Sequence, residues 1–192
     1  EGEARSHGIQ LFGAHDATLS NISITDVEGG HNPVALENCT DCDTGAVGGQ
    51  AAGLWLQGCA NITATNLQIT GIKGGAGHSG ATPGHGALAA GIYLLDSTDC
   101  SISGSNITSV IGGEGGVSPG FTRSGGNGGV GAAIYMREST GCTLSGNLLS
   151  SATGGAGGAS SQFHEPGGAG GLGAGVYLTQ STGCTLTDQA IT

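Results

Sequence analysis

The sequence predicts an all-β solenoid of about five stacked coils, three short strands to a coil, and two observations carry that reading. A repeat tiles the chain: GIYLLDSTDCSISGSNITSVI from Gly91 returns as AAIYMRESTGCTLSGNLLSSA from Ala132 and as GVYLTQSTGCTLTDQAIT from Gly175. The equivalent residues Ile92, Ile134 and Val176 are 42 apart, Leu54 leads Ile92 by 38, and Ile9 leads Leu54 by 45. Within each unit, apolar residues alternate with polar ones over runs too short for anything but strands.

The first run places Ile92 and Leu94 on one side and Tyr93 on the other. The same assignment serves Ile9/Leu11, Leu54/Leu56, Ile134/Met136 and Val176/Leu178. In the second run the inward pairs are Cys100/Ile102, Cys142/Leu144 and Cys184/Leu186, and the third contributes Ile107, Leu148 and Ile191. Hairpins cannot place equivalent residues at a fixed long period, whereas a coil lying on its neighbour can. Like residues then stack about 4.8 Å apart, and no unit is stable alone. Residues 1–192 form one such domain, or a section of a longer solenoid.

This pattern resembles the right-handed parallel β-helix family, the pectate-lyase-like fold shared with many bacterial surface repeats, over the whole chain. The resemblance implies an asparagine ladder before the third strand, for which Asn66, Asn106 and Asn147 are the residues available. It also implies, for a lyase, a calcium-binding carboxylate cluster beside a basic residue; Arg137 next to Glu138 is a poor version of that pattern.

A coil needs the 21 residues from Gly91 to Ile111, half of the period. The remainder is glycine-rich: GGEGGVSPGFTRSGGNGGVG from Gly112, GGAGGASSQFHEPGGAGGLG from Gly154, and a looser version between Gly71 and Ala90. Glycine at two positions of every three matches the three-residue turn of a polyglycine II helix, and a six-residue arm of it extends about 19 Å. The GG pairs recur at the repeat spacing, which a flexible linker does not require. Ordered arms projecting from one side of the coil are therefore expected, with GFTRS and SSQFHE at their tips.

Composition excludes several function classes. The chain has 42 glycines in 192 residues, and its 14 acidic against 4 basic residues offer no cluster able to neutralise phosphates. Nucleic acid and anionic membrane are thus not expected partners, and no apolar run is long enough to span a bilayer. The chain opens at Glu1 without a start methionine, which fits a mature product or an excised piece.

Six cysteines permit disulfides without requiring them. Cys59, Cys100, Cys142 and Cys184 read as a buried stack of small side chains. Cys39 and Cys42, in ENCTDC, read as a local disulfide or a free pair, since no second Cys or His pair at metal spacing accompanies them. The six histidines form no HxH or HExxH arrangement, so neither a metal nor a cofactor is expected. The sequons at Asn21, Asn38, Asn61 and Asn106 are weak signals.

Two groups could carry chemistry. Trp55, Tyr93, Tyr135 and Tyr177 share one outward position in successive units, either as a platform on which sugar rings stack or as a second small core beneath the glycine arms. Asp96 and Glu138 are equivalent in adjacent coils with Asp99 nearby, the carboxylates a carbohydrate-active lyase or hydrolase would use; exposed turn acids are the plainer account. The expected function is a non-catalytic extracellular or cell-surface module, adhesive or joined end to end into a fibre with its own kind, with carbohydrate the other expected partner. Ice binding would require regular outward threonine columns, which are not expected here.

Overall fold

The computed structural model describes residues 5–30, 45–118, 124–160 and 165–192. Five coils each contribute three strands: β1 Arg5–Phe12, β2 Thr18–Ser20 and β3 Ser23–Thr25; β4 Gln50–Gln57, β5 Thr63–Thr65 and β6 Gln68–Lys73; β7 Ala89–Leu95, β8 Ser101–Ser103 and β9 Asn106–Ile111; β10 Gly131–Arg137, β11 Thr143–Ser145 and β12 Leu148–Thr153; β13 Gly173–Thr179, β14 Thr185–Thr187 and β15 Ala190–Ile191. They assemble into three five-stranded sheets, β1-β4-β7-β10-β13, β2-β5-β8-β11-β14 and β3-β6-β9-β12-β15. Every pairing is parallel. The chain is a right-handed parallel β-helix.

Its register is that of the repeat, with Ile9, Leu54, Ile92, Ile134 and Val176 paired in succession. The core they build is closed by Ile102 and Leu144 from the second sheet and by Ile69, Ile107 and Leu149 from the third, all buried. Here one expectation is corrected. Leu148 pairs with Asn106 and lies on the outside, 43% exposed, and its neighbour Leu149 takes the inward place between Ile107 and Ile191. A one-residue shift moves a side chain to the other face, and two adjacent leucines give the sequence no means of choosing.

A column of small residues in the first sheet makes room for the third. A Cβ placed on Gly8, Gly53, Gly91 or Gly175 would strike the Cγ2 methyl of Ile24, Ile69, Ile107 or Ile191 respectively. In the fourth coil the facing residue is Leu149, which carries no branch at Cβ, and the column holds Ala133. Four glycines therefore answer four isoleucines, and the one alanine answers the one leucine.

The coil turns its corners through left-handed backbone. One corner column is Gly13, Gly58, Asp96, Glu138 and Gln180, a second Asp16, Asn61, Asp99, Gly141 and Gly183, a third Asn21, Asn66, Gly104, Gly146 and Asp188; φ lies between 49° and 68° at every position. Glycine, asparagine and aspartate tolerate this region best, which explains most of these choices. Beside the corners, buried hydroxyls satisfy stray backbone groups. Ser97 Oγ accepts the Cys59 N–H and donates to the Leu95 carbonyl, Ser139 Oγ accepts from Ser97 and donates to Arg137, and Ser181 repeats the pattern for Ser139 and Thr179.

Outside the coil, the glycine arms pack as rods. The outgoing arm from Gly112 donates through Gly112, Gly115 and Ser118 to Thr153, Ala156 and Ala159 of the next outgoing arm, every third residue. Its Gly113 and Gly116 donate to Ala87 and Gly84 of the preceding return arm, and Gly126 and Gly129 of its own return arm donate back to Gly116 and Gly113. Three-residue spacing is the repeat of a polyglycine II helix. A Cβ at Gly113, Gly126, Gly129, Gly155 or Gly158 would fall on a carbonyl oxygen of a neighbouring arm. Each third residue faces out and carries the side chain, as Glu114, Val117 and Asn127 do.

Candidate functional site

The aromatic column forms on the outer face of the first sheet. Trp55, Tyr93, Tyr135 and Tyr177 are register partners, with ring centroids 4.1, 5.0 and 5.1 Å apart along the series. The structure extends it by one ring, since His7 meets the edge of Trp55 at 4.7 Å, and the Arg5 guanidinium lies 5.1 Å from the Trp55 ring centre. His7 is not among the expected residues, because it stands three positions before the equivalent of Trp55, which is Gln10.

Burial divides the column. Trp55 and Tyr93 are 1% and 6% exposed, and with Ala52, Ala90, Leu88, Leu95 and Tyr135 they form a second small core. Leu88 belongs to the end of the second return arm, so the base of the slab contributes to this cluster. Tyr135 and Tyr177 are half-buried and keep part of their surface open. Burial, and then each ring's neighbouring phenol, pushes Tyr93 and Tyr135 above the ordinary phenol range. Burial, and then the Arg5 charge, pulls His7 below its ordinary value, and its Nε2 is buried without a partner.

The carboxylates stand apart from this column. Asp96 and Glu138 occupy one corner column and Asp99 the next, and all three are exposed. Glu138 holds Arg137 through Nε and Nη2, both at 2.9 Å. The Asp99 carboxylate leans over Gly141, the glycine of its own column in the following coil. Two concavities among the described residues lie elsewhere. One, of about 280 Å³, is lined by Asp26, Glu28, Lys73, Ser109 and Ile111, and the other, of about 490 Å³, by Thr82, His85, Ser124, Asn127 and Glu165 on the slab.

Cysteine stacking is real but shorter than expected. Cys100, Cys142 and Cys184 are equivalent, one residue before the paired Ser101, Thr143 and Thr185, and the same place holds Ile62 and Ala17 in earlier coils. Cys59 is corrected out of that stack: it lies one residue before Ala60, which bridges Thr98, and so stands in the column of Ser97 and Ser139. The thiols of Cys59, Cys100, Cys142 and Cys184 are free. Its hydrogen bond with Cys100 and burial hold the Cys142 thiol far above the ordinary range. Cys39 and Cys42 lie outside the described residues.

The asparagine ladder does not form, because the three residues fall in different columns. Asn66 is an exposed corner residue, Asn106 begins β9, and Asn147 is buried in line with Leu67, Ser105 and Gln189. Asn147 alone acts as a ladder amide, accepting from the Ser105 N–H and donating to the Ile102 carbonyl and to Gln189 Oε1.

A feature beyond the sequence expectations lies on the second sheet, where serine and threonine mix and neither column is threonine throughout. Its outward residues are Thr18/Ser20, Thr63/Thr65, Ser101/Ser103, Thr143/Ser145 and Thr185/Thr187, so two uninterrupted hydroxyl columns run the length of the coil. They escape notice in the sequence because serine and threonine interchange and the three-residue strands look like ordinary turns.

No family model and no curated protein matches the chain. Among solved structures, it is similar to the periplasmic alginate epimerase AlgG, at 12% identity and a TM-score of 0.33 over 97% of this chain and 47% of that one. The chain thus spans less than half the length of that protein.

Proposed function

We propose that this chain is a non-catalytic structural or adhesive module of the cell surface or extracellular space, a stiff rod braced along one side by its glycine slab. The observation that carries the reading is the corner geometry: Asp96, Asp99 and Glu138 sit at left-handed turns on the open surface, a backbone position that favours glycine, asparagine and aspartate on steric grounds and so accounts for both aspartates without a catalytic role. The acidic balance favours solubility of such a rod. Polysaccharide-degrading activity is the test. A panel of acidic and neutral polysaccharides is expected to yield no unsaturated or reducing product, and a product lost in Glu138→Gln would overturn the reading.

One observation favours a second reading. The hydroxyl columns form a lattice with spacings of about 4.8 Å between strands and about 6.6 Å along them. Such a lattice suits an ordered water layer, and hence ice. Thermal hysteresis in the wild-type protein, abolished by Thr63→Lys with Thr143→Lys, is the expected outcome of that reading.

A further inference from the structure

We propose that Cys100 and Cys142 form a two-coordinate site for a soft cation of the copper(I) class, held inside the core between the third and fourth coils. The site is separate from the structural reading above, which gives these thiols no task.

Register brings the two thiols together. Cys100 and Cys142 each stand one residue before the partners Ser101 and Thr143, so they are stacked on neighbouring strands of the second sheet. They are 1% and 0% exposed, and both thiols are free. In-register side chains of a parallel sheet leave their strands in the same direction and are held apart by the strand spacing of about 4.8 Å. That separation decides between the two bridges a thiol pair can form. A disulfide needs converging side chains, with sulfurs about 2.0 Å and Cβ atoms about 3.8 Å apart, and these side chains run parallel. A cation between the sulfurs suits the parallel arrangement, because two metal–thiolate bonds of about 2.3 Å laid end to end span about 4.6 Å.

Coordination number selects the metal. Among the described residues no three His, Cys, Asp or Glu side chains gather around one point, so the four-ligand set of a structural zinc site is not offered. Copper(I) is satisfied by two thiolates in a line, and soft sulfur ligands select it. In the metal-free protein the thiol protons point to the Thr98 and Thr140 carbonyls, at 3.4 and 3.6 Å. Binding releases both protons and leaves one negative charge on the S–Cu–S unit. The Ile62 N–H is aimed at the Cys100 sulfur and the Cys100 N–H at the Cys142 sulfur, which favours the anionic form of each. From the side of the preceding coil the Ser97 carbonyl oxygen lies 3.8 Å from Cys142 Sγ, a dipole that suits a cation beside that sulfur. Cys59 is the internal contrast, since its column continues with Ser97 and Ser139 and gives it no second thiol.

The test offers copper(I) anaerobically in competition with bathocuproine disulfonate, a coloured copper(I) chelator whose loss of colour reads the transfer. Cys39, Cys42 and Cys184 are serine in every sample, so that only the pair and Cys59 remain. The protein is expected to take up a single copper, to give an X-ray absorption spectrum of two sulfurs in a line, and to melt at a higher temperature when loaded. Cys100→Ser and Cys142→Ser are each expected to lose the copper with the circular dichroism spectrum unchanged, while Cys59→Ser keeps it. Failure of the protein to take copper from the chelator overturns the proposal, as does uptake that survives Cys142→Ser or a spectrum with three or more sulfurs. Treatment with diamide, a thiol oxidant, is expected to leave the pair unlinked. A Cys100–Cys142 disulfide, seen as the loss of two hydrogens in the intact mass, would also overturn it. None of these outcomes bears on the polysaccharide assay, so the site and the non-catalytic reading can fail separately.

Discussion

The coil and the glycine slab are built on the same stacking repeat by opposite means. In the coil, side chains do the work: Leu54, Ile92 and Ile134 are removed from water, and the backbone needs help only at its corners. In the slab there is almost no side-chain core. Arms are held by N–H to carbonyl bonds in several directions, and two residues in three must be glycine because neighbouring arms meet at the backbone. Glycine loses the most conformational freedom on ordering, so an isolated arm of this composition would not hold its shape. The coil fixes both ends of each arm and delivers them at the strand spacing. The difference teaches that an apparently flexible composition becomes a rigid layer when a template sets its period.

Substitutions can break that comparison, the most damaging first. Gly155→Val drives a side chain into the Gly113 carbonyl and parts the arms; chemical denaturation is expected to show a loss of about 3 kcal/mol or more. In the coil, Ile134→Ala empties a fully buried site and is expected to cost about 2–5 kcal/mol in the same measurement. A Gly155→Val protein that lost no stability would mean the arms are not packed as described.

The column facing the third sheet sharpens the point. Gly91→Ala meets the Ile107 branch and is expected to lose about 1–3 kcal/mol. Adding Ile107→Leu, which copies the Ala133 and Leu149 pair, should restore the part due to the Ile107 branch and leave the part due to the Ala133 carbonyl, and a double-mutant cycle reads the coupling directly. Smaller still, Gln180→Gly relieves a left-handed corner at φ 51° and is expected to raise stability by about 1 kcal/mol or less in thermal unfolding.

The mildest effect concerns pH. Because the folded pKa of His7 lies below the ordinary 6.5, the unfolded chain binds its proton first. The stability that neutral His7 contributes is complete above pH about 6.5 and declines as the pH falls from there through the folded value. Thermal unfolding from pH 7.5 to 5 should show this loss, and His7→Phe should remove that part of the slope.

Much of the architecture was legible because it rests on periodicity. Ile92, Ile134 and Val176 announced the stack, and the GG pairs announced the arms. The column of Trp55, Tyr93, Tyr135 and Tyr177 was equally plain, since four aromatics at the repeat spacing must meet in any stacked coil. What failed was resolution finer than the repeat. Cys59 stands three residues from the column its type suggests, Leu149 and not its neighbour Leu148 points inward, and Asn66, Asn106 and Asn147 share a type but stand in different rows. Corners of unequal composition hide the register, and only the pairing of backbones fixes it.

By itself the sequence determined the coil, its period and the places where backbones must touch, because alternation and glycine each answer to local sterics. Tertiary structure alone decided that Trp55 and Tyr93 are enclosed while Tyr177 stays partly open, and that serine and threonine line one face. Those properties depend on which residue of the neighbouring coil lies alongside, and proximity across a stack is set by the whole register.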